Sequence, residues 1–249
     1  MGIGYISASK MKNILTFLLI IFTLSAFGQQ ITAEQWDKEA KTNIRLLPKY
    51  GLVQKSAELQ QLDQDFIEEM MKQEALKDDR TATSNYMISV GFGYLYRGDL
   101  KTAMYRFNQA YLLDSENSDI YWGYGAVYMT LEQYDRAKQQ YEEGLATAPD
   151  NTHLLTDYAT YFMVQYYRLY PTDSKAAFDH LETAIRYLLK SFQLDPTDQN
   201  TSYKLSSCYL VSADCNKARE YYELCKELGG QPITDDFSEA LINNCGAQE

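Results

Sequence analysis

The stretch that decides the fold is SNYMISVGFGYLYRGDLKTAMYRFNQAYLLDSEN (residues 84–117), which is followed without a gap by SDIYWGYGAVYMTLEQYDRAKQQYEEGLATAPDN (residues 118–151). Both stretches are 34 residues long. A repeat of this length is typical of an array of helical hairpins. Equivalent positions carry residues of the same size class: Gly91 and Gly125, Tyr94 and Tyr128, Leu100 and Tyr134, Ala103 and Ala137, Phe107 and Tyr141.

These residue sizes fit two helices that cross closely. Gly91 and Ala103 fit where the helix axes approach, whereas Tyr94 and Phe107 can fill the wider gaps beside the crossing. Pro149 ends the second helix, because its ring cannot continue the hydrogen-bond ladder. The pattern resembles the tetratricopeptide repeat, and the whole arrangement is similar to exported tetratricopeptide proteins of Bacteroidetes. The resemblance implies an all-α fold, a right-handed α-solenoid of about four helical hairpins.

Two further copies follow the opening pair, at residues 152–198 and 199–232. Measured from the start of its own copy, Pro196 comes 13 positions later than Pro149 (44 against 31). About two extra turns on each helix would absorb this insertion and keep both faces in register. We therefore predict that the third hairpin is longer than its neighbours, with its turn near Pro171.

The segments on either side of the repeats predict capping helices. Residues 29–83 contain two helical patterns, Ala33–Leu47 and Ser56–Leu76, which are expected to form an N-terminal cap. Residues 233–249 predict a C-terminal capping helix. An array of repeats needs such a helix because its last hairpin would otherwise expose an apolar side.

The N-terminus has the pattern of a secretory signal peptide. KMKNILTFLLIIFTLSAFGQQ (residues 10–30) places two lysines before an apolar run and ends that run in small residues. The run is too short to span a bilayer, which needs about 20 apolar residues. The sequence thus predicts a signal peptide at residues 1–28, with Met11 as an alternative start. We expect a soluble periplasmic or extracellular protein that neither spans a membrane nor carries a lipid anchor.

Composition and motifs argue against several classes of function. The net charge of -11 disfavours nucleic acid as a partner, because an acidic surface repels phosphate. Two histidines, His153 and His180, stand without a catalytic or metal-binding motif around them. The sequence therefore predicts no enzyme, no metal site and no cofactor.

All four cysteines lie in the last repeat and the C-terminal cap. In an exported chain an even number of cysteines is typical of disulfides. Cys215 begins the second helix of the last repeat and Cys245 ends the antiparallel cap, so these two are expected at a similar height. Cys208 and Cys225 fit buried thiols better than a bridge. Four unbridged core cysteines are the alternative.

The resemblance also implies where a partner would bind. In such repeats the first helix of each hairpin lines a concave groove, and its inward positions here are largely apolar or aromatic. Family members that capture a terminal carboxylate use lysines, asparagines and an arginine there, so that mode of binding is not expected. The alternative is that the N-terminal helices fill the groove. The predicted groove residues are Ile88, Phe92, Tyr96, Trp122, Met129, Met163 and Tyr203.

The long third hairpin offers a second surface, with Tyr166, Tyr167 and Tyr170 near its tip. Exposed tyrosines are frequent anchors of protein interfaces, although some of these rings could pack within the hairpin. The sequence as a whole predicts an exported, non-enzymatic scaffold that binds a protein or peptide. The alternative is an envelope module that binds a small molecule or a glycan through the same aromatic residues.

Overall fold

The computed structural model describes residues 31–73 and 79–246, and the predicted signal peptide lies outside these ranges. The described residues form 11 α-helices and no β-strand, which confirms the all-α prediction. In this part of the chain no helix combines the length and the hydropathy that crossing a membrane requires. The helices are Ala33–Ala40 (α1), Ala57–Met71 (α2), Arg80–Tyr96 (α3), Leu100–Leu113 (α4), Asp119–Thr130 (α5), Tyr134–Thr147 (α6), Thr152–Leu169 (α7), Ser174–Leu194 (α8), Gln199–Val211 (α9), Cys215–Glu227 (α10) and Asp235–Cys245 (α11).

The helices belong to two compact units, the first ending at Leu154 and the second beginning at Leu155. The first unit holds α1 to α6 and the first turn of α7. The second unit holds the rest of α7 and α8 to α11. Each unit is described by itself below.

Glycine allows the first unit to pack a ring directly against helix backbone. Phe107 of α4 is fully buried, and its ring edge lies against Gly91 of α3 and Gly123 of α5. Tyr141 of α6 lies against Gly125 of α5 in the same way. The sequence predicts that each glycine contacts an alanine of the second helix. The structure instead pairs it with an aromatic ring, because a missing Cβ leaves room for a ring edge.

Aspartate side chains cap several of these helices and so explain where they begin. Asp79 accepts a hydrogen bond from the Ala82 amide at 2.8 Å, and Asp99 accepts one from the Thr102 amide at 3.0 Å. In the third hairpin Asp173 caps α8 through the Ala176 amide at 3.0 Å. Each cap satisfies an amide that has no partner within its own helix.

The N-terminal segment differs from the prediction of one helix over residues 33–47. Helix α1 ends at Ala40, and two short 3₁₀ turns follow at Ile44–Leu46 and Pro48–Leu52. The segment is not one helix because Asn43 accepts a hydrogen bond from the Arg45 amide and so begins a separate turn. Pro48 then forces an extended conformation on Leu47.

This segment packs on the second helices of the hairpins. Asn108 of α4 donates from Nδ2 to the carbonyl oxygens of Arg45 and Leu47 at 2.8 and 2.9 Å. Arg136 of α6 lies 2.6 Å from Asp37 of α1. The predicted groove is formed by first helices, so these contacts lie on the other helix layer, although the Lys49 amide also donates to Tyr124 Oη of the first helix α5. None of these contacts involves a residue predicted for the groove, and the alternative that the N-terminal helices fill it stays a prediction.

The second unit contains α8 and all of α7 beyond its first turn. These two helices have 18 (α7) and 21 (α8) residues, against 12 and 14 in α5 and α6. They are joined by aromatic contacts such as the parallel pair Phe162 and Tyr187, with ring centroids 5.6 Å apart. The C-terminal helix α11 packs its buried Phe237 against Tyr203 of α9, with ring centroids 4.9 Å apart.

Candidate binding face

Four rings line up along the first helices of the first unit. Tyr96 and Phe92 of α3 have ring centroids 6.0 Å apart, and Phe92 lies 3.9 Å from Trp122 of α5. Trp122 in turn stacks on His153 in the first turn of α7, with centroids 4.3 Å apart and an interplanar angle of 15°. We call these four residues the ring ladder. The repeat itself produces it, because equivalent helices present equivalent faces.

The two ends of the ring ladder are exposed, whereas its middle is largely covered. Tyr96 is 77% exposed and His153 is also exposed, whereas Phe92 is only 7% exposed and Trp122 is half-buried. Of the other residues predicted for the groove in this unit, Ile88 is buried and Met129 is half-buried. The sequence predicts that Ile88, Phe92, Tyr96, Trp122 and Met129 all line the groove. The structure leaves Tyr96 as the most exposed of them.

A hydrogen-bonded cluster of Asp119, Asn151 and His153 supports one end of the ring ladder. His153 Nδ1 lies 3.1 Å from both carboxylate oxygens of Asp119, and Asn151 donates from Nδ2 to Asp119 Oδ1 at 2.7 Å. Burial alone would raise the pKa of Asp119, but the hydrogen bonds from His153 and Asn151 lower it below its usual value. The carboxylate is therefore held ionised beside the Trp122 and His153 rings.

The hydrogen bonds of Asn151 recur at the equivalent residue, Asn117, one repeat earlier. Asn117 donates to Ser84 Oγ at 3.0 Å and to Asn85 Oδ1 at 2.7 Å, just as Asn151 does to Ser118 and Asp119. The last residue of each 34-residue copy thus ties down the first two. His153 occupies the slot of Asn85 and Asp119 in the next copy. The sequence predicts that this slot faces the groove, but His153 was not among the predicted binding residues.

The predicted groove residues of the second unit are buried. Met163 and Tyr203 are 8% and 9% exposed, and Tyr203 contacts Phe237 of the C-terminal helix. Burial raises the pKa of the Tyr203 hydroxyl. The sequence does not predict this contact, because the contact depends on where α11 packs.

The tyrosines of the third hairpin pack largely within it. Tyr166 is only 1% exposed, and its ring lies 5.0 Å from that of Tyr167, 5.5 Å from Tyr170 and 5.6 Å from Phe178 of α8. Tyr166 therefore cannot anchor a partner in this conformation. Tyr167 and Tyr170, both half-buried, are what remains of the proposed hairpin surface.

The cysteines divide into one bridged pair and two thiols. Cys215 and Cys245 form a disulfide that ties the start of α10 to the end of α11, with Cα atoms 5.4 Å apart. Cys208 and Cys225 are buried thiols, and burial raises the pKa of Cys208 to about 12. Within residues 31–73 and 79–246 no three His, Cys, Asp or Glu side chains converge as a metal site would require.

The repeat signature of this chain matches a known family. Residues 94–156 match the family model of the tetratricopeptide repeat. Over these residues the chain carries the tetratricopeptide repeat. The match covers the junction of the first two 34-residue copies and runs into α7, so it includes Trp122, Asp119 and His153 of the candidate face.

The chain is similar to the type IV pilus assembly protein PilF of Pseudomonas aeruginosa. The two are 25% identical over 185 residues, which is 64% of this chain and 73% of PilF. Among solved structures, one of P. aeruginosa pilF has 22% identity and a TM-score of 0.35, covering 61% of this chain and 79% of the other. A structure of PilW, described as a type IV pilus biogenesis factor, has 17% identity and a TM-score of 0.36, covering 66% and 86%.

Proposed function

We propose that this protein is an exported, non-enzymatic scaffold that binds a protein or peptide segment on the face of the ring ladder. The single observation that carries the proposal is the continuous row of rings from Tyr96 to His153, which crosses three successive first helices and is exposed at both ends. Aromatic side chains are the commonest anchors of protein interfaces.

The chemistry of the face favours an apolar segment over a charged peptide end. An apolar helix or extended strand gains from contact with rings such as Tyr96, and it needs no clamp for a terminal carboxylate. Asp119 lies beside the rings as an ionised carboxylate, which repels an approaching carboxylate and attracts a cation. We therefore expect the bound segment to be apolar, with a lysine or arginine near His153.

The similarity to PilF supports a proposal about the process in which this scaffold acts. The relative is a type IV pilus assembly protein, and it is 25% identical to this chain over 185 residues. We propose that this chain serves an envelope assembly process of the same general kind. The predicted signal peptide and the likeness to exported Bacteroidetes proteins belong to the same proposal.

Site-specific photo-crosslinking tests the proposed face. A photoreactive phenylalanine derivative placed at Tyr96 in the native host should give one dominant protein adduct. The matched control position is Tyr86, which is also exposed on α3 but lies on another side of that helix. The Trp122→Ala substitution should remove the adduct formed at Tyr96. Equal adducts at both positions, or an adduct that survives Trp122→Ala with the fold intact, would contradict the proposal.

The alternative of a small-molecule or glycan module is less well supported by the geometry. A sugar-binding ring must offer a flat face, and Trp122 already has Phe92 on one neighbouring helix and His153 on the other. Only the exposed Tyr96 ring would be left for such contact. Native mass spectrometry with a panel of envelope glycans tests this alternative, which predicts a bound glycan that is lost in Tyr96→Ala.

A further inference from the structure

A second apolar surface lies away from the ring ladder, around residues 52–62. Four large apolar side chains there are exposed: Leu52 at 73%, Leu62 at 58%, Val53 at 46% and Leu59 at 43%. Soluble proteins rarely expose a contiguous apolar patch unless it binds something. The proposed binding role of the ring ladder does not use any of these residues.

The patch borders a cleft of about 360 Å³. One wall is helix α2, the other is the segment that follows α1, and the floor includes side chains of α4. The cleft has room for more than one aliphatic side chain, and half of its twelve lining residues are apolar. Its apolar lining residues are Ile44, Tyr50, Leu59, Leu62, Phe66 and Leu112.

A strained turn lies beside this cleft and contributes Tyr50 to its lining. Lys49, Tyr50, Gly51 and Leu52 have φ angles between 54° and 66°, a left-handed conformation that costs free energy in every residue except glycine. The strain persists because the turn is anchored. The Lys49 amide donates to Tyr124 Oη at 3.1 Å, and Lys49 Nζ lies 2.8 Å from a carboxylate oxygen of Glu143.

The turn has a consequence for the surface. It places Tyr50 beneath the cleft, where Lys55 Nζ lies 3.3 Å from the centre of its ring, and it turns Leu52 outward. Strained backbone that the surrounding structure maintains is found preferentially at functional sites. The exposed apolar side chains are therefore held in place and are not a frayed end.

The charge around the cleft is strongly acidic on one side. Glu58, Asp65 and Glu69 are exposed and recur with Leu62 at i, i+4, i+7 and i+11, so they form a single stripe along α2. Lys55, which also lines the cleft, is paired with Asp63. On the opposite rim, Arg45 lies over the Tyr105 ring at 3.9 Å.

We propose that this cleft is a docking site for an amphipathic helix of a partner protein, with an apolar stripe flanked by lysine or arginine side chains. The apolar stripe would enter the cleft beside Leu59 and Leu62, and the basic flank would meet the stripe of Glu58, Asp65 and Glu69. A second copy of this chain is a poor occupant, because it would bring the same acidic stripe into the contact.

Fluorescence anisotropy with synthetic peptides tests this site on the purified full chain. The probe is a labelled peptide of about 18 residues with leucines at helical spacing and lysines on either side. We expect it to bind more tightly than a scrambled peptide of the same charge and than a peptide with glutamates in place of the lysines. The affinity should fall as salt is raised, since ion pairs form at the exposed acidic stripe.

Substitutions locate the binding. Leu62→Gln should weaken the peptide about tenfold, and Glu58→Lys with Asp65→Lys should weaken it and flatten its salt dependence. The matched controls in the second unit are Ile242→Gln, which changes an equally exposed apolar side chain, and Glu220→Lys with Glu227→Lys. Neither control should change the affinity.

Two results would overturn the proposal. One is equal binding of the ordered and scrambled peptides, or binding that Leu62→Gln leaves unchanged. The other is a dimer of the protein alone that Leu62→Gln converts to a monomer, because a second copy would then be the occupant. Trp122→Ala should leave peptide binding unaltered, which separates this site from the ring ladder.

Discussion

At the scale of the residue, the glycines of the first helices are required by the rings they face. A Cβ on Gly125 would come within 2.6 Å of Cζ of Tyr141, and the Tyr141 ring is buried and has no free direction in which to move. Alanine normally favours a helix over glycine by about 1 kcal/mol, so the packing penalty must exceed that gain.

We expect Gly125→Ala to destabilise the protein by about 1–3 kcal/mol, the usual cost of overpacking a core. Urea denaturation followed by circular dichroism measures this. The matched control is Gly93→Ala on the neighbouring first helix, where no described heavy atom lies within 4 Å of the added Cβ. Gly93→Ala should leave the stability unchanged or raise it. Equal effects of the two substitutions would show that the ring contact does not constrain Gly125.

The carboxylate of Asp119 predicts a dependence of stability on pH. Because the folded state lowers its pKa, its interactions stabilise the protein above the unfolded pKa of about 3.9 and are lost as the pH falls through the lower folded pKa. Asp119→Asn removes this contribution. Its hydrogen bonds to His153 and Asn151 involve a charged group, so the loss should be roughly 1–3 kcal/mol at neutral pH.

The measurement is urea denaturation of Asp119→Asn at several pH values. Its deficit relative to the parent protein should be largest near neutrality and should shrink as the pH approaches 3 or so. Glu220→Gln, at an exposed position in the second unit, should show no deficit at any pH. A deficit that stays constant down to low pH would mean that Asp119 acts through packing and not through its charge.

At the scale of the element, the turn inside each regular hairpin uses a left-handed residue. Gly98, Glu132 and Ala213 occupy this position with φ of 80°, 57° and 61°. Gly98 and Glu132 are 34 positions apart, one repeat length. Only glycine adopts this conformation without a steric cost, which is roughly 1–2 kcal/mol for other residues.

Exchanging residues at this turn should therefore change stability in opposite directions. We expect Glu132→Gly to raise the free energy of unfolding by up to about 1 kcal/mol and Gly98→Ala to lower it by a similar amount. Thermal unfolding monitored by circular dichroism gives both values. If Glu132→Gly were clearly destabilising, the side chain of Glu132 would have to contribute more than its backbone strain costs.

A disulfide and apolar packing both hold the C-terminal helix. The Cys215–Cys245 bridge closes a loop with a sequence separation of 30, and Phe237 packs against Tyr203. In the chain-entropy model a loop of this size contributes about 3 kcal/mol. We expect Cys245→Ser to lower the melting temperature as much as a reductant lowers that of the parent protein. The reductant should then have no further effect on the variant, and a free Cys245 thiol under non-reducing conditions would contradict the assignment.

At the scale of the whole molecule, charge limits the choice of partners. The chain has 34 acidic against 23 basic residues. The counterion release that drives binding to nucleic acid needs a cluster of cations. We expect no retardation of a labelled DNA duplex or RNA hairpin at about 0.15 M salt, with a basic DNA-binding domain as the positive control. A retarded band at that salt concentration would require a basic surface that the acidic composition does not predict.

Much of the fold could be predicted because the repeat is a local pattern. Small and aromatic residues at fixed spacing determine which helix faces meet within a hairpin, and Asp173 with Pro171 marks the turn of the long third hairpin. The N-terminal segment could not be predicted in the same way. Its path along α4 and α6 depends on Asn108 and Lys49, which bond to groups more than 60 positions away in the chain.

The candidate site, too, could be predicted from the sequence only in part. The sequence by itself determined that aromatic residues recur on the first helices, because repeat position and residue type are both legible in one chain. Only the tertiary structure decided that Tyr96 is exposed while Phe92 is buried, that His153 stacks on Trp122, and that Tyr166 packs inside its hairpin. The physical reason is that exposure and stacking depend on the distance between helices, and a repeat pattern specifies only which face of each helix turns inward.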